Sequence, residues 1–180
     1  ERGELARARE ALEEAVSLFE RHGHSVATRL VDLGLIALEL GDHDQAWEWL
    51  QRALEAADRE GDFLGALGAF EALGDLEFDR CDLAEAERWY RRGIEAATGF
   101  DPVNTVPFLV GLAHVAIRRG YFDEAGRLWG EAERLAADAD ATVWPAVSVR
   151  HDRLQESLSP WARRAFEHGR SLASAAKPGS

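Results

Sequence analysis

The chain has one lysine, one cysteine and five prolines among its 180 residues, and no long hydrophobic run. Each shortage narrows what it can be. With Lys177 as the sole lysine, the phosphate-binding glycine loop that ends in Lys-Ser or Lys-Thr is absent. Gly-x-Ser-x-Gly and His-Glu-x-x-His are also absent, which removes two common hydrolase sites. Cys81 alone cannot close an internal disulfide, a pattern that fits a reducing cytosol. Apolar runs such as Leu33-Gly34-Leu35-Ile36-Ala37-Leu38 fall far short of the ~20 residues that cross a bilayer, and no signal peptide leads the chain. Basic residues are outnumbered 33 to 21, a net charge of −12. Neutralising phosphates needs a basic face, so this balance speaks against direct nucleic-acid contact and against adsorption to anionic membrane. It suits a cationic partner. The chain opens on Glu1 rather than methionine and reads as a piece of something longer.

What is present is a repeat. A chain of this length buries roughly 70% of the surface its unfolded form exposes, so neither metal nor disulfide is needed to hold it. Four segments share one pattern: a glycine-like turn, an alanine five residues on, a large apolar residue four later, and a small residue three after that. The turns carry Gly3, Gly41, Cys81 and Gly120, and the alanines are Ala8, Ala46, Ala86 and Ala125. Leu12, Leu50, Tyr90 and Trp129 are the large residues; Ala15, Ala53, Gly93 and Ala132 are the small ones. The alanines are 38, 40 and 39 residues apart.

Positions i, i+4 and i+7 lie on one helix face, where two small residues admit a neighbouring helix and the large one fills the groove between. Before three of the turns sits a second apolar helix, expected over Val26 to Leu40, Phe63 to Phe78 and Val106 to Ile117. Each holds a Leu followed by Gly or Ala: Leu33-Gly34, Leu73-Gly74 and Leu112-Ala113. Asp42 with Gln45 and Asp82 with Glu85 have capping-box spacing. Asp62 can cap the helix after Gly61, and Asp101 precedes a first-turn proline. The expected unit is an antiparallel helix pair.

The Leu-Gly, Gly, Ala, large, Ala series resembles the tetratricopeptide repeat (TPR) over residues 1–137. The resemblance implies an all-α, right-handed superhelix of antiparallel helix pairs. Its parts are the second helix of a truncated repeat (1–22) and full repeats at about 24–60, 62–98 and 102–137. C-terminal capping helices (138–172) and a disordered tail (173–180) follow. The period is near 40 rather than about 34, and Cys81 and Gly93 replace the usual glycine and alanine. Within the cap, Trp144-Pro145 opens a helix to about Leu158, and Ser159-Pro160 opens another to about His168. The stretch Ala165-Phe166-Glu167-His168-Gly169-Arg170-Ser171-Leu172 resembles the end of the TPR set that closes bacterial STAND-type ATPase regulators, including LuxR-type and AfsR-like activators. Leu109-Val110-Gly111-Leu112-Ala113 and Ala125-Gly126-Arg127-Leu128-Trp129 resemble the penultimate repeat of that set. The implied role is a non-catalytic sensor or scaffold arm of a cytoplasmic multidomain regulator. Two alternatives stay open: a stand-alone adaptor that senses peptides, and a self-association element that pairs copies through the unpartnered first helix.

Bland readings account for the remaining chemistry-bearing residues. His22 and His24 flank a helix end with no cysteine cluster, so a solvated turn is favoured over a metal site. In Asp42-His43-Asp44, Asp42 is needed as a cap and Asp44 suits the first turn. Cys81 precedes a helix N-terminus but lacks a resolving thiol. Trp47, Trp49, Trp89 and Trp129 read as packing residues, and Trp144 and Trp161 as seals of the last repeat. No cofactor and no metal is expected. In TPR arrays the first helix of each pair lines a concave groove, which by register implies Leu35 and Glu39, then Glu71, Asp75, Phe78 and Asp79, then His114 and Arg118. Glu71, Asp75 and Asp79 repeat at i, i+4, i+8 and form an acidic stripe without evident local compensation, with Phe78 as an apolar anchor. Such a groove suits a cationic peptide, a protein partner or another domain of the same chain. A solvated acidic helix face is the competing reading.

Overall fold

Residues 2–139, 156 and 158–175 are described by a computed structural model, and among them every regular element is helical. In chain order these are α1 (Arg2–His22), α2 (Ala27–Leu40), α3 (His43–Glu60), α4 (Phe63–Asp79) and α5 (Leu83–Ala97). A 3-10 turn (Pro102–Thr105), α6 (Val106–Arg119), α7 (Phe122–Asp138) and α8 (Pro160–Ala175) follow. The helix expected between Trp144 and Leu158 lies outside the described residues. The tail expected to be disordered from residue 173 is helical as far as Ala175, because Ala173 packs where α8 meets Gly130 of α7.

The helices start and stop where the sequence chemistry dictates. Asp42 accepts the Gln45 amide at 3.2 Å, Asp62 that of Gly65 at 2.9 Å, and Asp82 that of Glu85 at 3.1 Å. The Asp42 box is only half formed, since the Gln45 side-chain oxygen takes the Arg9 guanidinium instead. Asp101 caps the 3-10 turn rather than α6, so the proline it precedes opens a short lead-in. Gly41, Gly61 and Gly120 end α2, α3 and α6 in the left-handed region, with φ of 78°, 64° and 81°. Cys81 adopts the same conformation at φ 64° after α4, the one non-glycine with positive φ among the described residues.

The chain divides into two compact units, Glu1–Trp89 and Tyr90–Ser180. In the first, α2 packs on α1, α3 and α4, and α3 also packs on α4. Leu30, Leu33, Leu50, Leu73 and Leu76 are its fully buried centre. The apposition is close because Gly34 has no side chain: a Cβ there would strike the Leu50 side chain at 2.5 Å. Burying a leucine such as Leu50 contributes about 1.5–3 kcal/mol. Trp89 meets the edge of Trp47 at 6.1 Å and the Phe70 ring at 6.1 Å, so these aromatics pack as core rather than forming a cage.

In the second unit α6 packs on α7, and α7 on α8. Tyr90 lies against Gly111, and Phe108 against Gly93, so each ring occupies the space of a missing side chain. Val110, Ala113, Ala125, Trp129, Ala132 and Phe166 share one buried cluster. Ala162, Phe166 and Gly169 on α8 are buried and repeat the alanine, large, small spacing a fifth time.

The left-handed Cys81 yields a direct test. For a residue with a Cβ this conformation costs roughly 1–2 kcal/mol, and the extra chain entropy of glycine offsets about 0.5–1 kcal/mol of any relief. Cys81→Gly should therefore raise stability by about 0.5–1 kcal/mol, a rise of ~2 °C in Tm by circular dichroism. A lower melting temperature would show that the thiol makes a compensating contact.

Candidate functional site

The eight expected groove residues divide between the units. In Glu1–Trp89, Leu35, Glu39 and Asp79 are exposed, and Glu71 and Asp75 are half-buried. Phe78 is only 5% exposed and is no surface anchor. The last two turns of α4 are enclosed almost all round, with Leu73, Leu76, Glu77 and Phe78 buried together. Glu71, Asp75 and Asp79 each take part in an interaction within the chain. In Tyr90–Ser180, Arg118 is exposed, whereas His114 is 3% exposed and stacks on Trp129 with ring centroids 6.3 Å apart. Its imidazole thus fills core space next to the large residue of the repeat. Sequence register assigned these side chains to a face correctly spaced along each helix, but α4 and α6 bury more than one face.

Polar joints at the repeat turns carry more of the arrangement. Glu77 is buried and pairs with Arg80 at 3.1 Å. Arg80 also donates to the His43 carbonyl at 3.1 Å and to Asp44 at 3.0 Å. One guanidinium therefore ties the end of α4 to the start of α3. His43 and Asp44 belong to this joint, and among the described residues no group of three His, Cys, Asp or Glu could hold a metal ion. Taking the positive charge from Arg80 would strand a buried carboxylate.

A second joint lies at the start of α2. A cleft of about 640 Å³ is lined by Glu20, Gly23, His24, Ser25, Val26, Arg59 and Glu60. The N-cap of α2, Val26, has no side-chain oxygen, and Glu60 of α3 supplies one by accepting the Val26 amide at 3.2 Å. Burial pushes the Glu60 carboxyl up, but Ser25, the Val26 and Ala27 amides and Arg59 together hold it below the ordinary value. The Ser25 hydroxyl also lies 3.3 Å from a carboxylate oxygen of Asp62, the residue that caps α4. His24 sits edge-on to Phe19 at 5.8 Å beside an exposed His22, an arrangement of turn residues and not of ligands. Phe19 and its neighbour Leu18 leave part of the α1 surface apolar.

The α7–α8 joint is the tightest. A Cβ on Gly126 would coincide with the Phe166 carbonyl oxygen, and one on Gly169 with that of Asp123, so the two backbones touch. Arg170 grips Glu133 with two bonds of 2.7 and 2.8 Å, and Glu133 holds the Arg170 pKa above its ordinary value. Asp123 lies 2.7 Å from His168 Nδ1. The signal for these contacts was in the sequence, as glycines at the i+7 position and one residue after the repeat alanine.

Paired helices with buried small residues at the repeat positions, and polar joints at the turns, leave one further comparison to make. Residues 1–174 match the family model of the MalT-like TPR region. The chain belongs to this family. No curated protein matches the chain. The match crosses both units and takes in α8 as far as residue 174. The TPR is an interaction fold, and no described helix is long and apolar enough to cross a membrane. Trp161 departs from the expected sealing role: it stands 64% exposed at the start of the last TPR helix.

The Asp123–His168 contact makes α8 docking sensitive to acid. The His168 hydrogen bond, helped by the Arg127 charge, holds the Asp123 carboxyl below its usual 3.8. A depressed carboxyl pKa contributes stability that is present above the unfolded value and is lost as pH falls through the folded one. The resistance of the wild type to urea should fall as pH drops below 3.8, and His168→Ala should show a smaller loss over the same window. Identical pH profiles for the two proteins would remove the contact from the account.

Proposed function

We propose that this TPR region is the non-catalytic interaction arm, sensor or scaffold, of a cytoplasmic multidomain bacterial regulator of the STAND ATPase class. The observation that carries the reading is the MalT-like TPR match over residues 1–174. The ATP chemistry and the transcriptional or signalling output belong to other parts of such a regulator. Two features of the sequence are consistent with it. It holds no nucleotide-binding loop. Its net charge of −12 disfavours direct contact with nucleic acid. The reading is tested by the native size of the polypeptide that carries residues 1–180, measured by immunoblot of the source cell. A regulator with ATPase and output domains should run on the order of 80 kDa or more. A band close to the 19.9 kDa of this chain would sink the regulator reading and leave a stand-alone adaptor.

The occupant proposed for the first-helix surface is a protein segment with positive charge, from a separate partner or from the same polypeptide. Leu35, Glu39, Glu71, Asp75 and Asp79 form the part of this surface that reaches solvent in the first unit. An Arg-rich synthetic peptide should bind through these carboxylates, and the double variant Glu71→Lys, Asp75→Lys should weaken it at least ~10-fold, or about 1.4 kcal/mol. Equal affinity for wild type and variant, measured by calorimetry, would remove α4 from the binding surface.

A further inference from the structure

The alanine, large, small face of the repeat is closed in every described helix that carries it except the first. In α3, Ala46, Leu50 and Ala53 are fully buried; their counterparts in α1 are an exposed Ala8 and half-buried Leu12 and Ala15. Leu18 and Phe19 are exposed, whereas the residues one period later, Ala56 and Ala57, are buried. Neighbours explain the difference. α3 is packed between α2 and α4, whereas α1 packs on α2, which stands to it as α4 stands to α3. Leu5, Ala8, Leu12, Ala15 and Phe19 follow at steps of three and four, so they share one helix face. Leu12 also packs on the core cluster, which makes this open face continuous with the α1–α2 interface.

We propose that the open face of α1 seats an apolar helix of the same polypeptide, joined to α1 through a left-handed turn at Gly3. What closes the equivalent face of α3 names the chemistry of the occupant. That face is met by α2, whose Leu30, Leu33 and Ala37 are buried, and Leu50 fits because Gly34 has no side chain. The occupant of α1 is therefore an apolar helix with glycine or alanine opposite Leu12. Gly3 supplies an independent observation. Two residues join α2 to α3, and α6 to α7, and in each case the first is a left-handed glycine five positions before the repeat alanine. Gly3 stands five positions before Ala8, yet it is helical, has no positive φ, and a Cβ on it would meet nothing within 4 Å. A glycine there weakens the helix and uses none of its conformational freedom. The tether decides against a second copy. A face of about 15 residues offers less than the ~800 Å² per partner of a stable protein pair, and two copies of net charge −12 repel. A helix on a two-residue turn is held at an effective concentration of order mM and needs no such area.

The probe is the chain's own α2: a copy of residues 25–40 joined directly to Gly3 in place of Glu1 and Arg2, so that Leu40-Gly3 repeats Leu40-Gly41. The extension should raise the melting temperature by at least ~4 °C. Leucine in place of the added helix's own glycine should erase that gain, because Leu12 then has no room. Gly3→Ala carries the decisive sign. It should raise the melting temperature of the 180-residue chain by about 1 °C and lower that of the extended chain by about 3 °C. No gain from the extension, or one sign for Gly3→Ala in both chains, overturns the proposal. So does a dimer, by light scattering, that persists in the extended chain, because the occupant would then be a second copy. In the native polypeptide, amides of residues 8–19 should exchange with deuterium at least ~10-fold more slowly than in the 180-residue chain. Equal rates overturn the occupant and leave the ATPase reading, which the immunoblot tests, where it stands.

Discussion

Among the described residues, the close helix contacts are built on missing side chains, and much of the structure follows from that constraint. Gly34, Gly93, Gly111, Gly126 and Gly169 each leave space that a leucine, an aromatic ring or a carbonyl oxygen occupies. Interiors pack at the density of organic crystals, so a helix pair set closer by a missing side chain gains contacts along its whole length. The large residue at i+4 then has a defined seat, which is why Leu50, Tyr90 and Phe166 are among the most buried side chains. Polar links between helices come from Arg80 and Glu60 near the turns and from Arg170 within α8.

That division explains what the sequence made legible. Helix pairing, the caps at Asp42, Asp62 and Asp82, and the glycine turns all depend on residues within a few positions of one another. Periodicity reports such local chemistry directly. The candidate site depended on something else: which faces of α4 and α6 remain open once neighbours are in place. Phe78 and His114 sit at spacings that a groove would use, yet both are buried because α4 and α6 are enclosed on more than one side. A continuous run such as Val106 to Ile117 signals this enclosure by having no polar face, with His114 as its one interruption.

Long-range polar partners were the least legible. Nothing near Val26 in the chain announces that Glu60 caps it, and Arg170 and Glu133 are 37 residues apart. The separation in each case is close to the repeat period, so a pair one period apart is where such joints belong. Arg80 with Asp44, 36 apart, and Ser25 with Asp62, 37 apart, follow the same rule. The open face of α1 became informative in the same way, by comparison with its counterpart in α3 one period later.

The Glu60–Val26 and Ser25–Asp62 bonds also determine how far a disturbance travels. Glu60 at the end of α3 holds the start of α2, and Ser25 at that start reaches the cap of α4. Fraying of α3 therefore releases the first turn of α2 and weakens the first turn of α4. In a linear array with nearest-neighbour coupling, such joints set the cooperative length. The melting unit in this part of the chain is then larger than one helix pair.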